Sequence, residues 1–177
     1  MQITRGGVDT TPGPSDWFTG AVYLDAVAAP VGESQVSATN VHFTPGARTA
    51  WHTHPHGQTI YVLEGVGLCQ RRGGPAELIR PGDRVFFEPG EEHWHGASAT
   101  RFMAHLALVH VGDDGTPAVW GDPVTDDEYA AAQPAPELRP PAPPRAAGTE
   151  RRPPGPGRAR RRGAAGPRAR CAWSRGA

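Results

Sequence analysis

The sequence contains no lysine, so all 18 of its basic residues are arginine. It has two cysteines, Cys69 and Cys171, whose spacing fits neither a disulfide framework nor a thiolate metal site. Cys69 stands in a strand-like stretch, where a lone thiol is expected to pack as a small apolar residue rather than act as a nucleophile. No run approaches the ~18–20 apolar residues of a membrane-spanning helix. The start, Met1-Gln2-Ile3-Thr4-Arg5-Gly6-Gly7, lacks the apolar stretch of a secretory signal. A soluble cytoplasmic protein is the default expectation from these absences.

The formal net charge of +0 hides two opposite parts. Residues 134–177 hold 11 Arg and 2 Glu, a balance of +9, whereas residues 1–133 hold 7 Arg and 16 acids, a balance of −9. The basic part carries 10 of the 20 prolines, one Leu, one Trp and no Ile, Val or Phe. So little apolar surface cannot offset the entropy lost on ordering, and a disordered tail is expected. Arg151-Arg152 and Arg158-Ala159-Arg160-Arg161-Arg162 carry charge for polyanions, but no aromatic interleaving accompanies them. A nucleic-acid partner is therefore not expected, and the tail reads as dispensable. Residues 1–133 have the length of one compact domain of ~100–150 residues.

Within 1–133, short strand-like stretches alternate with turn residues. Strands are expected over 21–26, 35–44, 49–54, 59–64, 68–71, 76–80, 84–88, 93–97 and 101–111. Pro45-Gly46, Arg72-Gly73-Gly74-Pro75, Pro81-Gly82-Asp83 and Pro89-Gly90-Glu91-Glu92 supply turns between them. Trp17-Phe18 is the expected anchor of the first 20 residues. In 101–111 both parities are largely apolar, which predicts a strand covered on both sides with His105 on an enclosed surface. Thr125 with Glu128 three residues later spells a capping box for a short closing helix. Many short strands with regular turns predict an all-β sandwich or barrel.

Metal-ligand chemistry concentrates in Trp51-His52-Thr53-His54-Pro55-His56-Gly57-Gln58. Side chains two apart on a strand share a side, so His52 and His54 point together. Pro55 ends the strand and Gly57 permits a tight backbone before Gln58. Two imidazoles and a carboxamide can thus converge. Neutral imidazole is a preferred ligand of Mn, Fe, Co, Ni, Cu and Zn. His93 follows a Pro-Gly turn 35 residues after Gln58, and His95 shares its side. A mononuclear metal site in a small β-barrel is expected. His56 falls in the turn, and parity places His42 and His110 away from the pocket. Trp51 and Trp94 have the parity opposite to the ligands and are expected to pack.

Pro45-Gly46 with His52, His54 and Gln58, then Pro81-Gly82-Asp83 through Pro89-Gly90-Glu91-Glu92-His93, resembles the two motifs of the cupin superfamily over roughly residues 15–130. The resemblance implies a single jelly-roll-like barrel. Asp16-Trp17-Phe18-Thr19-Gly20, the run from Pro45 to Pro55, Gly57-Gln58-Thr59 and His93-Trp94-His95-Gly96-Ala97 look like the bacterial manganese-dependent hydroxynitrile lyases of cupin fold. By that resemblance His52, His54, Gln58 and His93 hold one divalent ion, Mn first, with Fe, Zn, Co or Ni as alternatives. Thr49, His95 and His105 are then pocket groups. The usual cupin pattern has Glu where Gln58 stands, and a neutral amide implies a weaker site but a stronger Lewis acid. His42, His56 and Val109 also depart, Val109 standing where some members have a polar pocket residue.

Cleaving a cyanohydrin to a carbonyl compound and cyanide requires the hydroxyl to lose its proton as the C–C bond breaks. His105, with an ordinary imidazole pKa of ~6.5, is the expected base. His95 is expected to bond the substrate or orient a ligand, and Thr49 to add a hydroxyl. A small-molecule substrate and a homodimer or higher homo-oligomer are implied. Two other classes stay open, because one fold hosts many chemistries. One is a metal-dependent oxygenase or isomerase of small carbonyl compounds. The other is a non-catalytic barrel that binds metal or a small ligand.

Overall fold

The computed structural model describes residues 1–133 apart from Gln2, Thr4, Gly6 and Asp113. The expected disordered tail at 134–177, and the domain boundary it implies, lie outside the described residues. The strands run β1 (Thr10–Pro12), β2 (Phe18–Thr19), β3 (Val22–Ala28), β4 (Val36–Phe43), β5 (Arg48–Thr49), β6 (His52–Thr53) and β7 (Gln58–Gly65). They continue as β8 (Gly67–Arg71), β9 (Ala76–Ile79), β10 (Arg84–Phe87), β11 (His93–Ala97), β12 (Met103–His110) and β13 (Val119–Trp120), followed by helix α1 (Asp126–Ala132). Among the described residues no helix is long and apolar enough to cross a membrane.

Two antiparallel sheets form the all-β barrel. One has the order β1-β3-β4-β12-β7-β10. The other runs β13-β6-β11-β5-β2, with β8 pairing β11 and β9 pairing β8. The period-two pleat decides which side chains enter the space between them. On β7, Ile60 and Val62 are fully buried while Tyr61 and Leu63 are exposed. Val41, Phe43, Ile60, Val62, Phe87 and Met103 belong to the apolar cluster inside the barrel. Cys69 joins them, and burial pushes its thiol up to about 12, so it packs and stays protonated.

A second apolar cluster gathers Trp51, Leu68, Trp94, Val124 and Tyr129, as the parity of the two tryptophans predicted. Helix α1 closes it. The capping box forms: Glu128 N donates to Thr125 Oγ1, and Thr125 N donates to Glu128 Oε2 at 2.8 Å. Arg48, buried, ties the helix to the barrel. Its Nε and Nη2 donate to the Val124 carbonyl, Nη2 reaches Asp126 at 2.7 Å, and the guanidinium lies over the Tyr129 ring. Tyr129 in turn donates its hydroxyl to the Ala97 carbonyl at 2.7 Å.

Two strand expectations need correction. The stretch 49–54 is not one strand but two, β5 and β6. Ala50 N donates to the Trp17 carbonyl and Trp51 N to the Asp122 carbonyl, so the backbone between the strands bonds to flanking segments. The stretch 101–111 starts only at Met103 and shifts register against β7 between Ala104 and His105. Its outer side is not covered: Leu108 is 37% exposed, and Tyr23, Tyr61, Leu63 and Phe86 on the same sheet are 42–47% exposed. Strands β1, β2 and β13, too short to leave a pattern, were not anticipated.

Candidate metal centre and cavity

Register brings the histidines together. His52 on β6 lies directly opposite His93 on β11, and His95 follows two residues along the same face. The facing sheet supplies His105, between Val41 and Val62, and Gln58, between Phe87 and Val109. His54 comes from the loop after β6. Gly57 adopts φ +78°, and a Cβ there would lie 2.6 Å from the Phe87 carbonyl oxygen, so only glycine lets the chain turn into Gln58. All seven residues singled out from the sequence, Thr49, His52, His54, Gln58, His93, His95 and His105, are buried.

Each of three imidazoles spends one ring nitrogen on a backbone carbonyl. His52 Nδ1 meets Ala50 O at 3.0 Å, His54 Nδ1 meets Pro117 O at 2.6 Å, and His93 Nδ1 meets Glu91 O at 2.7 Å. A carbonyl can only accept, so Nδ1 carries the proton and Nε2 keeps its lone pair. Nε2 of His54 is buried with no hydrogen-bond partner. Nε2 of His93 faces Oε1 of Gln58 at 3.1 Å, two lone-pair atoms turned toward each other. A cation is what such atoms lack, and three imidazoles with one amide oxygen form a donor set that suits a divalent first-row metal. The residues present therefore fit one metal ion. Among the described residues the histidines whose ring nitrogens lie within 4.8 Å of one another are His52, His93 and His95; His54, expected as a ligand, is not in that trio, and His95, expected as a pocket group, is.

Burial dominates the electrostatics. It pushes His93 down to about 4, although the Glu91 carbonyl opposes the shift. His52 falls well below the ordinary imidazole range through burial, then through His93 and His54. Burial lowers His54 too, against the Pro117 carbonyl and Gln58. Phe87 lies flat on His93, centroids 3.6 Å apart and planes 5° apart, which fixes the plane of that imidazole.

His95 and His105 are held differently. Nε2 of His105 meets Nδ1 of His95 at 3.2 Å, while Nε2 of His95 and Nδ1 of His105 are buried without partners. Burial drives His105 down to about 3 and His95 well below its ordinary value. The ordinary value near 6.5 expected for His105 is thus not the one its surroundings impose. Thr49 Oγ1 accepts from the backbone N of His95 at 3.1 Å.

Thr49, His52, His54, Gln58, His95 and His105 border a cavity of about 320 Å³ whose other walls include Phe18, Leu24, Val41, Ala107, Val109 and Trp120; His93 is not in its lining. Among the described residues lining it there is no Arg, Asp or Glu. Sequence reasoning missed Trp120, the Pro117 carbonyl and the tie between His95 and His105. Pro117 and Trp120 are far along the chain from the histidine motif, and no periodicity links them to it. His42 and His56 stay out of the cavity: His42 bonds Asp25 on the outer side, and His56 packs against His110.

Residues 39–110 match the family model described as a cupin domain. The chain is 49% identical over 130 residues to a protein named (R)-mandelonitrile lyase from Granulicella tundricola, covering 73% of this chain and 98% of that one. A solved cupin-like protein from Thermotoga maritima matches with a TM-score of 0.66 and 36% identity, over 75% of this chain and 98% of its own. A cupin 2 conserved barrel domain protein from Rhodopseudomonas palustris shares the fold at 20% identity and TM-score 0.56, over 70% and 82% of the two chains. With the barrel, the paired histidine strands and these likenesses in agreement, the chain belongs to the cupin family.

Proposed function

We propose that the chain is a metal-dependent hydroxynitrile lyase-type enzyme that cleaves a neutral cyanohydrin to a carbonyl compound and cyanide. His52, His54, Gln58 and His93 are its ligands, and manganese is the first choice of ion ahead of Fe, Zn, Co or Ni. One observation carries this reading: carbonyl-pinned imidazoles stand beside a separate His95–His105 pair at a cavity whose described lining residues include no Arg, Asp or Glu. The likeness to a mandelonitrile lyase supports it. When bound, the ion supplies positive charge where negative charge develops.

The chain's own residues handle the proton. When Nε2–H of His105 donates to Nδ1 of His95, Nδ1 of His105 holds a lone pair and Nε2 of His95 holds a hydrogen. His105 then accepts the hydroxyl proton, and His95 donates to the substrate. Thr49, accepting from His95 N, keeps its own hydroxyl hydrogen free to donate into the cavity. With His105 lowered to about 3, its lone pair is free at neutral pH but weakly basic, so the substrate hydroxyl would have to be acidified, as a bound ion beside it would do, and the protonated ring readily gives up the proton. That suits a group that must return the proton to the departing cyanide.

The opposite tautomer defines a second ligand set. If His95 Nδ1–H donates to His105, Nε2 of His95 offers a lone pair, and His52, His93 and His95 become the metal trio that their 4.8 Å spacing allows. Loss of metal in His95→Ala but not in His54→Ala selects this set, and the reverse pattern selects the first.

The deciding experiment is metal analysis of the purified chain, coupled to cyanide release from mandelonitrile with and without oxygen. The lyase reading expects release that tracks metal content and ignores oxygen. Oxygen uptake without cyanide selects an oxygenase, and stoichiometric metal with no turnover selects a binding module. The same reading includes a homodimer or higher homo-oligomer; a monomer in sedimentation velocity removes that part.

A further inference from the structure

The histidines and Gln58 all fall within residues 39–110, the part that matches the cupin domain. Part of the cavity wall does not. Trp17 and Phe18 come from the segment before that part, and Pro117, Ala118 and Trp120 from the segment after it. The common barrel thus carries the chemistry, while sequence outside it shapes the space beside the chemistry.

Trp120 is the shared member of a stack. It lies on Trp17 with centroids 5.1 Å apart and planes 6° apart, and on His52 at 4.7 Å and 28°. Phe18 meets Trp120 at 5.9 Å and 60°. Strand pairing creates this arrangement: Trp120 sits opposite His52 across β13 and β6, and Phe18 opposite Thr49 across β2 and β5. The backbone fastens both segments to the histidine strands, with Ala50 N donating to Trp17 O and Gly121 N to Trp51 O at 2.7 Å. Trp17 remains 38% exposed, an indole held at the cavity's edge rather than sunk in a core. Aromatic surface of this size beside uncharged walls matches a planar apolar group.

We propose that the Trp17–Trp120 pair is the specificity-determining wall of the cavity, selecting a substrate that carries an aryl group, and that Trp120 is also a positioning residue for the His52 ring. This deepens the reading above and rests on it for the reacting end of the substrate. The two tryptophans then differ in a measurable way. Trp120 touches both the wall and a ligand ring, whereas Trp17 reaches His52 only through Trp120.

Binding rather than turnover is the readout. The full chain is titrated by NMR with benzyl alcohol, an aryl carbinol, and with propan-1-ol, an alkyl one. Manganese affinity is measured separately by chelator competition. Wild type should prefer benzyl alcohol, and Trp17→Leu and Trp120→Leu should each weaken it about tenfold while leaving propan-1-ol unchanged. Manganese affinity should fall about tenfold in Trp120→Leu and stay unchanged in Trp17→Leu, with Trp120→Phe restoring most of it. If Trp120→Leu fails to fold, Trp17→Leu and Trp120→Phe still carry the test. No preference for benzyl alcohol, unchanged binding in Trp17→Leu, or an equal loss for both alcohols overturns the wall. Unchanged manganese affinity in a folded Trp120→Leu overturns the positioning role. A wild type that prefers benzyl alcohol yet releases no cyanide supports the wall and removes the lyase reading.

Discussion

Two groups of imidazoles meet beside one cavity, and they are restrained by opposite means. His52, His54 and His93 each lean on a main-chain carbonyl. His95 and His105 lean on each other. A carbonyl accepts and never donates, so it leaves one proton arrangement available. An imidazole does both, so the second pair has two proton arrangements open to it. The first group thus presents lone pairs in fixed directions, and in the proposed reading the second relocates a proton. The same residue type serves both purposes because the partner of its far nitrogen differs.

The sharpest attack on this contrast is His52→Ala. Stoichiometric metal and cyanide release should both disappear while circular dichroism reports an intact barrel. Unchanged metal in elemental analysis would remove His52 from the lone-pair group. His105→Ala comes next: metal content should persist, and cleavage should drop by about 10²–10⁴-fold, the usual weight of a general base. Full activity in that variant would deny the pair its proton-handling role.

Acid should act on both groups together. Burial holds His93 at about 4 and His105 at about 3, below the unfolded value of 6.5. Between those limits the unfolded chain binds more protons, so stability is complete above pH ~6.5 and declines as pH falls, by about 1.4 kcal/mol per pH unit for each histidine. The melting temperature of metal-free protein should therefore fall steadily from pH 7 to pH 5; a flat profile would contradict the neutral buried rings. The smallest effect is expected outside both groups. Arg48→Met removes the hydrogen bonds to Val124 and Asp126 and should cost about 1–3 kcal/mol in denaturant unfolding, with metal content unchanged. Loss of metal there would mean that the α1 clamp and the centre are not independent.

Much of this was legible along the chain, and what was missed has a common cause. His52 and His54, His93 and His95 follow the pleat, and the turn prolines and glycines mark the strand ends. Trp51 and Trp94 were placed in packing by parity alone, and Thr125 with Glu128 did form its box. The division of 49–54 into two strands was not visible, because it depends on Trp17 and Asp122 bonding to the backbone between them. The open outer side of β12 was not visible either, since apolar residues on both parities do not say whether anything lies above them.

Residue order alone was enough to decide an all-β barrel and to single out the histidines and Gln58 as the residues to watch, because strand periodicity and turn chemistry act over a few neighbouring residues. Proton placement, ring clamping and the tryptophan wall were chosen by folding. They rest on contacts such as His54 with Pro117, His95 with His105 and His52 with Trp120, between residues 63, 10 and 68 positions apart. No local rule joins positions so distant: pairing of β13 with β6 inside one sheet brings Pro117 and Trp120 to the histidine motif, and the closing of the other sheet over it brings His105 to His95.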